Sequence, residues 1–152
     1  CPDAAFRPDS FRPVTPLCYR PRMSVGVLLL THEGIGTAIH AVATRLLTRL
    51  PLKTAVFEVP FDASIEASLP RASAALRTVD DGDGVLILTD LYGATPSNVA
   101  AALAQLGTPA RRVSALSLPM LLRVMNYPEQ ALDQIPATAA AGARNGVVLD
   151  DA

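Results

Sequence analysis

Two short runs of uninterrupted apolar residues constrain this chain more than any other feature. The first is Val27-Leu28-Leu29-Leu30, followed by Thr31, His32, Glu33 and Gly34. The second is Val85-Leu86-Ile87-Leu88, followed by Thr89, Asp90, Leu91, Tyr92 and Gly93. A strand with one wet face alternates apolar and polar residues. Runs without alternation suit strands covered on both faces. Each run here stops on a polar residue, passes a glycine and gives way to a helix-like pattern. In an open parallel sheet the carboxyl ends of the strands share one edge, and ligands bind at that edge. His32 and Asp90 are therefore expected to meet there, with His32 as the working group.

The rest of the chain repeats the strand-then-helix plan. Ile35, Ile39, Val42, Leu46 and Leu50 recur at helical spacing, and Pro51 stops that helix. Residues 53–59 read as a second strand and Pro60-Phe61-Asp62 as a turn. Ser64 is a cap for a helix over 65–78 that buries Leu69, Ala72, Leu76 and Val79, with Pro70 as a kink or a sign of a later start. Asp80-Asp81-Gly82-Asp83-Gly84 lacks the alternating ligands of a calcium loop and reads as a turn into the third strand, 85–89. Thr95 is the expected cap of the next helix, with Pro96 at its first position, running to Leu106 and closed by Gly107. A fourth strand over 111–116 follows, then a short helix over 119–126 and a helical region over 129–143 interrupted by Pro136. Residues 146–150 add a short terminal strand. Alternating strands and helices predict an α/β domain, an open and mostly parallel sheet with helices on both faces.

Composition narrows the function. The 152 residues suit one domain, half of them are apolar, and the formal net charge is -1. No basic field invites nucleic acid. No run approaches the roughly 20 apolar residues of a membrane span. The two cysteines, Cys1 and Cys18, lie near the start, which points to a reducing, cytoplasmic setting without disulfides. His32 and His40 are the only histidines, so no metal site is expected, and His40 reads as a helix-face residue. Residues 1–22 hold five of the thirteen prolines and four arginines without apolar periodicity. They read as a flexible leader ahead of a domain over 23–152 that begins at Met23.

A lone histidine at a strand end can be a structural hydrogen-bonder and nothing more. Against that stand Thr31 at the mouth of the strand, the two glycines Gly34 and Gly36, and an acid in the equivalent place after another strand. A carboxylate on one ring nitrogen fixes the tautomer and leaves the other nitrogen as a nucleophile. No nucleophile elbow, P-loop or dinucleotide fingerprint is present, and no cofactor is expected. What remains is His32, Asp90 and a loop of Tyr92, Gly93, Ala94 and Thr95 leading into a helix N-terminus, where phosphate binds well. This set can accept a phosphoryl group on His32 and pass it on.

At these residues the chain resembles the enzyme IIA domain of the mannose family of the bacterial phosphoenolpyruvate-dependent sugar phosphotransferase system. Three blocks carry the resemblance: Val27 to His32, Gly84 to Asn98 and Leu118-Pro119-Met120-Leu121-Leu122. The resemblance implies that His32 is phosphorylated by the phosphocarrier HPr, that Asp90 orients its imidazole, and that Thr95 contacts the phosphate. It implies delivery to a IIB protein, contact with the membrane only through IIC and IID partners, and a homodimer that exchanges a C-terminal strand, here residues 146–149. Glu33 and Ala94 stand where glycines are usual, and Glu33 places an extra carboxylate beside the histidine. The chain stops at Ala152 with no IIB after it, which reads as a free-standing IIA. Two alternatives stay open: a regulatory module whose His32 phosphorylation switches partner binding, and the phosphotransfer subunit of a dihydroxyacetone kinase.

Overall fold

A computed structural model describes residues 24–150. The leader expected over 1–22 lies outside the described residues. The elements run β1 (Gly26–His32), α1 (Ile35–Leu47), β2 (Thr54–Val59), α2 (Ile65–Val79), β3 (Val85–Thr89), α3 (Thr95–Leu103), β4 (Ala110–Val113), α4 (Leu118–Met125) and α5 (Ile135–Asn145). The four strands form one parallel sheet in the order β2-β1-β3-β4. The α/β fold expected from the strand-helix alternation is the one observed.

The two apolar runs occupy the centre of the sheet. Alternate residues of β1 point to opposite faces, and each face has its own core. Val27 and Leu29 join Leu86 and Leu88 beneath α1, α4 and α5, packing against Ala43, Leu121 and Ile135. Leu28 and Leu30 join Val85 and Ile87 beneath α2 and α3, packing against Leu76 and Val99. Burial on both faces is why these strands carry no polar alternation. Gly26 opens β1 where α2 ends, and a Cβ there would stand 2.0 Å from the Val79 carbonyl oxygen. Only glycine fits that crossing.

Several boundaries differ from expectation, each for a local reason. Helix α1 stops at Leu47 rather than Leu50. Thr48 takes φ 62°, and the Arg49 N–H donates to the Leu47 carbonyl at 2.6 Å, a γ-turn that ends the helix ahead of Pro51. The expected apolar stripe on α1 also splits. Ile39 and Leu47 pack on the core beside Ala43, while Ile35, Val42 and Leu46 face solvent. The small residues Gly36 and Ala43 let the helix lie close to the sheet. A Cβ on Gly36 would meet Val56 Cγ1 at 2.8 Å and Thr31 Oγ1 at 2.9 Å.

Helix α2 starts at Ile65, capped by Ser64, whose hydroxyl accepts from the Ala67 N–H, and it runs unbroken past Pro70 to Val79. Helix α3 ends at Leu103, and turns carry the chain to Gly107. Strand β4 covers Ala110–Val113 rather than 111–116, because Ala115 turns to φ 70° and the Leu116 N–H donates to the Thr89 carbonyl. Pro136 sits in the first turn of α5 and does not interrupt a helix. Proline is tolerated there because the N–H it lacks has no intrahelical partner. Residues 147–150 follow α5 without strand pairing, so the terminal strand expected over 146–150 is not formed within the single chain. Among the described residues no helix is long and apolar enough to cross a membrane.

Candidate functional site

The strand order decides where a site belongs. From β1 the chain steps outward to β2, then crosses back to lay β3 on the other side of β1. The loops leaving β1 and β3 diverge, and the carboxyl ends of these strands form the crevice where open α/β sheets bind ligands. His32 is the last residue of β1, and Asp90 follows β3 directly.

The structure brings these two together. Asp90 Oδ2 accepts from His32 Nδ1 at 2.7 Å and from the His32 backbone N–H at 3.0 Å. Its other oxygen, Oδ1, accepts from the Leu91 N–H at 3.0 Å. Three donors thus hold one carboxylate, and its orientation leaves little freedom to the imidazole. With Nδ1–H donating to Asp90, the lone pair of the neutral ring is on Nε2. The His32 side chain is 23% exposed and that of Asp90 8%. The acid is tucked beneath the ring and the ring edge faces outward.

The loop after His32 is held from two sides. Thr31 is fully buried. Its hydroxyl donates to the His32 carbonyl at 2.8 Å and accepts from the Gly36 N–H at 2.9 Å. Thr31 therefore spans the loop from within, where no outside phosphate could reach its hydroxyl. Glu58, opposite Thr31 in the β1–β2 register, accepts from the Gly34 N–H and the Thr37 hydroxyl. Gly34 has φ 89°, a left-handed conformation that suits glycine. Glu33 is exposed.

The loop after Asp90 carries the remaining expected residues at the same sheet edge. Leu91 and Tyr92 are exposed, and Gly93 has φ 84°. The cap of α3 is Ala94 and not Thr95, and it makes no side-chain bond. Thr95 is half-buried at the first helical position, with Pro96 next. A cleft of about 850 Å³ lies beside the free edge of β4, lined by residues including Thr89, Tyr92, Arg111, Arg112 and Ser114. His32 and Asp90 do not line it. Among the described residues no cluster of three metal-ligating side chains occurs.

A family model described as "PTS system fructose IIA component" matches residues 26–140, most of the chain. The chain belongs to this IIA family of the phosphotransferase system. Membership makes it a IIA component of the sugar phosphotransferase system, with a phosphotransferase-type role in general terms. Solved structures agree on the fold. A mannose/sorbose-specific IIA subunit from Enterococcus faecalis matches with TM-score 0.75 at 23% identity, over 86% of this chain and 97% of that one. A phosphotransferase system component EIIA from Streptococcus agalactiae matches with TM-score 0.69 at 21% identity, over 82% and 95%. A IIA protein associated with a fucose utilization operon of Streptococcus pneumoniae matches with TM-score 0.64 at 19% identity, over 84% and 93%. Comparison with curated protein sequences gave no match.

Two residues that touch the His32 loop or ring are not among those expected from the sequence. Glu58 is a lone acid beside Val56, Phe57 and Val59 in a half-buried edge strand. Phe61 was one letter in a turn. Its ring stacks on that of His32, centroids 5.4 Å apart and planes 27° from parallel. The usable signal was an aromatic residue in a turn just past a strand end.

Proposed function

We propose that this IIA protein is a phosphoryl carrier that takes a phosphoryl group from phospho-HPr onto His32 Nε2 and passes it to a IIB protein. The supporting observation is the 2.7 Å bond from Nδ1 to Asp90 on an otherwise outward-facing ring. In the transfer, the bond from phosphorus to the donor breaks as the P–Nε2 bond forms. The imidazole becomes cationic, and the carboxylate beside Nδ1–H stabilises that charge. Thr95 and the amides at the start of α3 are the groups for the phosphoryl oxygens. The exposed side chains Leu91, Tyr92 and Phe61 favour a protein-borne donor over a small molecule that would be engulfed. The protein works in the cytoplasm and reaches the membrane through IIC and IID partners.

Incubation with phosphoenolpyruvate, enzyme I and HPr is expected to add one acid-labile phosphate, located on His32 by peptide mass spectrometry. A chain that takes up none, or takes it up on another residue, overturns the reading.

The same reading includes a homodimer that exchanges the C-terminal segment. Val147, Val148 and Leu149 are 81%, 80% and 88% exposed, an apolar run left in water after α5. Strand β4 has β3 on one side and no strand on the other among the described residues. An edge of this kind accepts a strand from a second copy. Light scattering after gel filtration is expected to give a dimer for the full chain and a monomer for a chain ending at Asn145. A full chain that runs as a monomer removes the exchange.

A further inference from the structure

The His32 imidazole has two faces, and one of them is covered by Phe61. The phenyl ring is itself 76% exposed, so the little burial it gains comes from its inner face. Its position is set by the sheet. Val59 pairs with His32 in the β1–β2 register. Pro60 follows with its fixed φ, and its carbonyl accepts from the Ala63 N–H at 3.1 Å, closing a turn with Phe61 at its corner. The corner is held by backbone, and the ring it carries lies against the working histidine.

We propose that Phe61 is a positioning residue for the His32 imidazole. The proposal rests on the reading of His32 as the phosphoryl carrier. Asp90 fixes the edge of the ring through Nδ1, and Phe61 fixes its plane. Rotation about the Cβ–Cγ bond of His32 would break both contacts together. The cationic ring formed on phosphorylation lies over a π-face, which favours positive charge. The Nε2 lone pair lies in the ring plane, so Phe61 acts through the orientation and charge of the ring and not by blocking a reagent. The outer face of Phe61 stays in water, where a docking protein can cover it.

Two measurements test this, and the first needs no phosphoryl chemistry. Diethyl pyrocarbonate acylates a free imidazole nitrogen, and its rate at His32 is read from the His32 peptide by mass spectrometry. Phe61→Ala is expected to lower that rate about twofold to tenfold, because acylation at Nε2 also makes a cationic ring that the Phe61 face favours, and an aromatic contact of this kind is worth about 0.5–1.5 kcal/mol. It should also move the His32 ring-proton resonances, because the ring current of Phe61 is gone. Phe61→Tyr is expected to match the native chain in both. An unchanged rate and unchanged resonances in Phe61→Ala, with native circular dichroism, overturn the proposal. The second measurement is the rate of phosphoryl uptake from phospho-HPr, expected to fall by a similar factor in Phe61→Ala and to recover in Phe61→Tyr. If the native chain takes up no phosphate while the first measurement holds, the carrier reading fails and the positioning role stands. If the native chain is phosphorylated and Phe61→Ala reacts like it in both measurements, the positioning role fails alone.

Discussion

Asp90→Asn is expected to slow phosphoryl transfer to His32 by roughly two to three orders of magnitude while the sheet stays folded. The reason is a count of donors. The Asp90 carboxylate accepts from three N–H groups, His32 Nδ1, the His32 backbone and the Leu91 backbone. A carboxylate has two acceptor oxygens, whereas an asparagine has one oxygen and one NH₂. With its oxygen toward His32, asparagine turns its NH₂ onto the Leu91 N–H, donor against donor. Flipped, it satisfies Leu91 and sets its NH₂ against two donors of His32, forcing the other tautomer and placing the proton on Nε2. Neither orientation restores the negative charge beneath a ring that becomes cationic during transfer. A part-buried His32 donor left without a partner also costs up to about 1–3 kcal/mol, whereas water can serve the exposed Leu91 N–H, so a modest drop in melting temperature should accompany the kinetic loss. Rapid-quench measurement of phosphoryl uptake under single-turnover conditions separates the two effects. A native rate in Asp90→Asn would leave Asp90 as a structural bond alone.

How far the sequence could be read depended on what each segment buries. Strands β1 and β3 were legible because burial on both faces leaves the runs Val27–Leu30 and Val85–Leu88 without a polar letter, and the site uses the residue one step past the threonine that ends each run. The pairing of His32 with Asp90 followed from strand ends sharing an edge, an argument that needs the fold class and no coordinates. Strand β4, Ala-Arg-Arg-Val, lies at an edge, and its polar side chains hide the pattern. Pro136 was misread because a proline that starts a helix and one that breaks a helix look alike until the helix is placed. For Glu58 and Phe61 the letters give a local signal but not a role. Their roles come from the β1–β2 register, which sets Thr31 against Glu58 and His32 against Val59. Register is a tertiary fact, fixed here by which side chains fill the two cores.

Helix α1 shows where periodicity misleads, and the buried core of β1 supplies a second large effect to set beside it. Leu28 is fully buried between the sheet and α2 and α3. Leu28→Ala is expected to cost about 2–5 kcal/mol, the transfer term plus the cavity left in a core that cannot close over it. Against a typical total of about 5–15 kcal/mol, that removes a large share of the stability. A melting temperature lower by roughly 10 °C is the expected reading. Leu46 belongs to the apolar stripe that helical spacing picks out, yet it is 59% exposed. Leu46→Ala is expected to change stability by no more than about 0.5 kcal/mol, as at other open surface sites. Leu46→Ala tests which face of α1 meets the sheet, with Leu28→Ala as the buried reference. Small residues, not large ones, mark that face, because Gly36 and Ala43 bring the helix close enough for Thr31 to reach the Gly36 N–H. That bond helps shape the loop beyond His32. Equal losses in the two variants, measured by chemical denaturation of the full chain, would mean that Leu46 is covered and that the helix sits differently on the sheet. Well below its melting point, Leu28→Ala should still be phosphorylated at close to the native rate, since its cavity opens in the core and not beneath the Asp90 carboxylate.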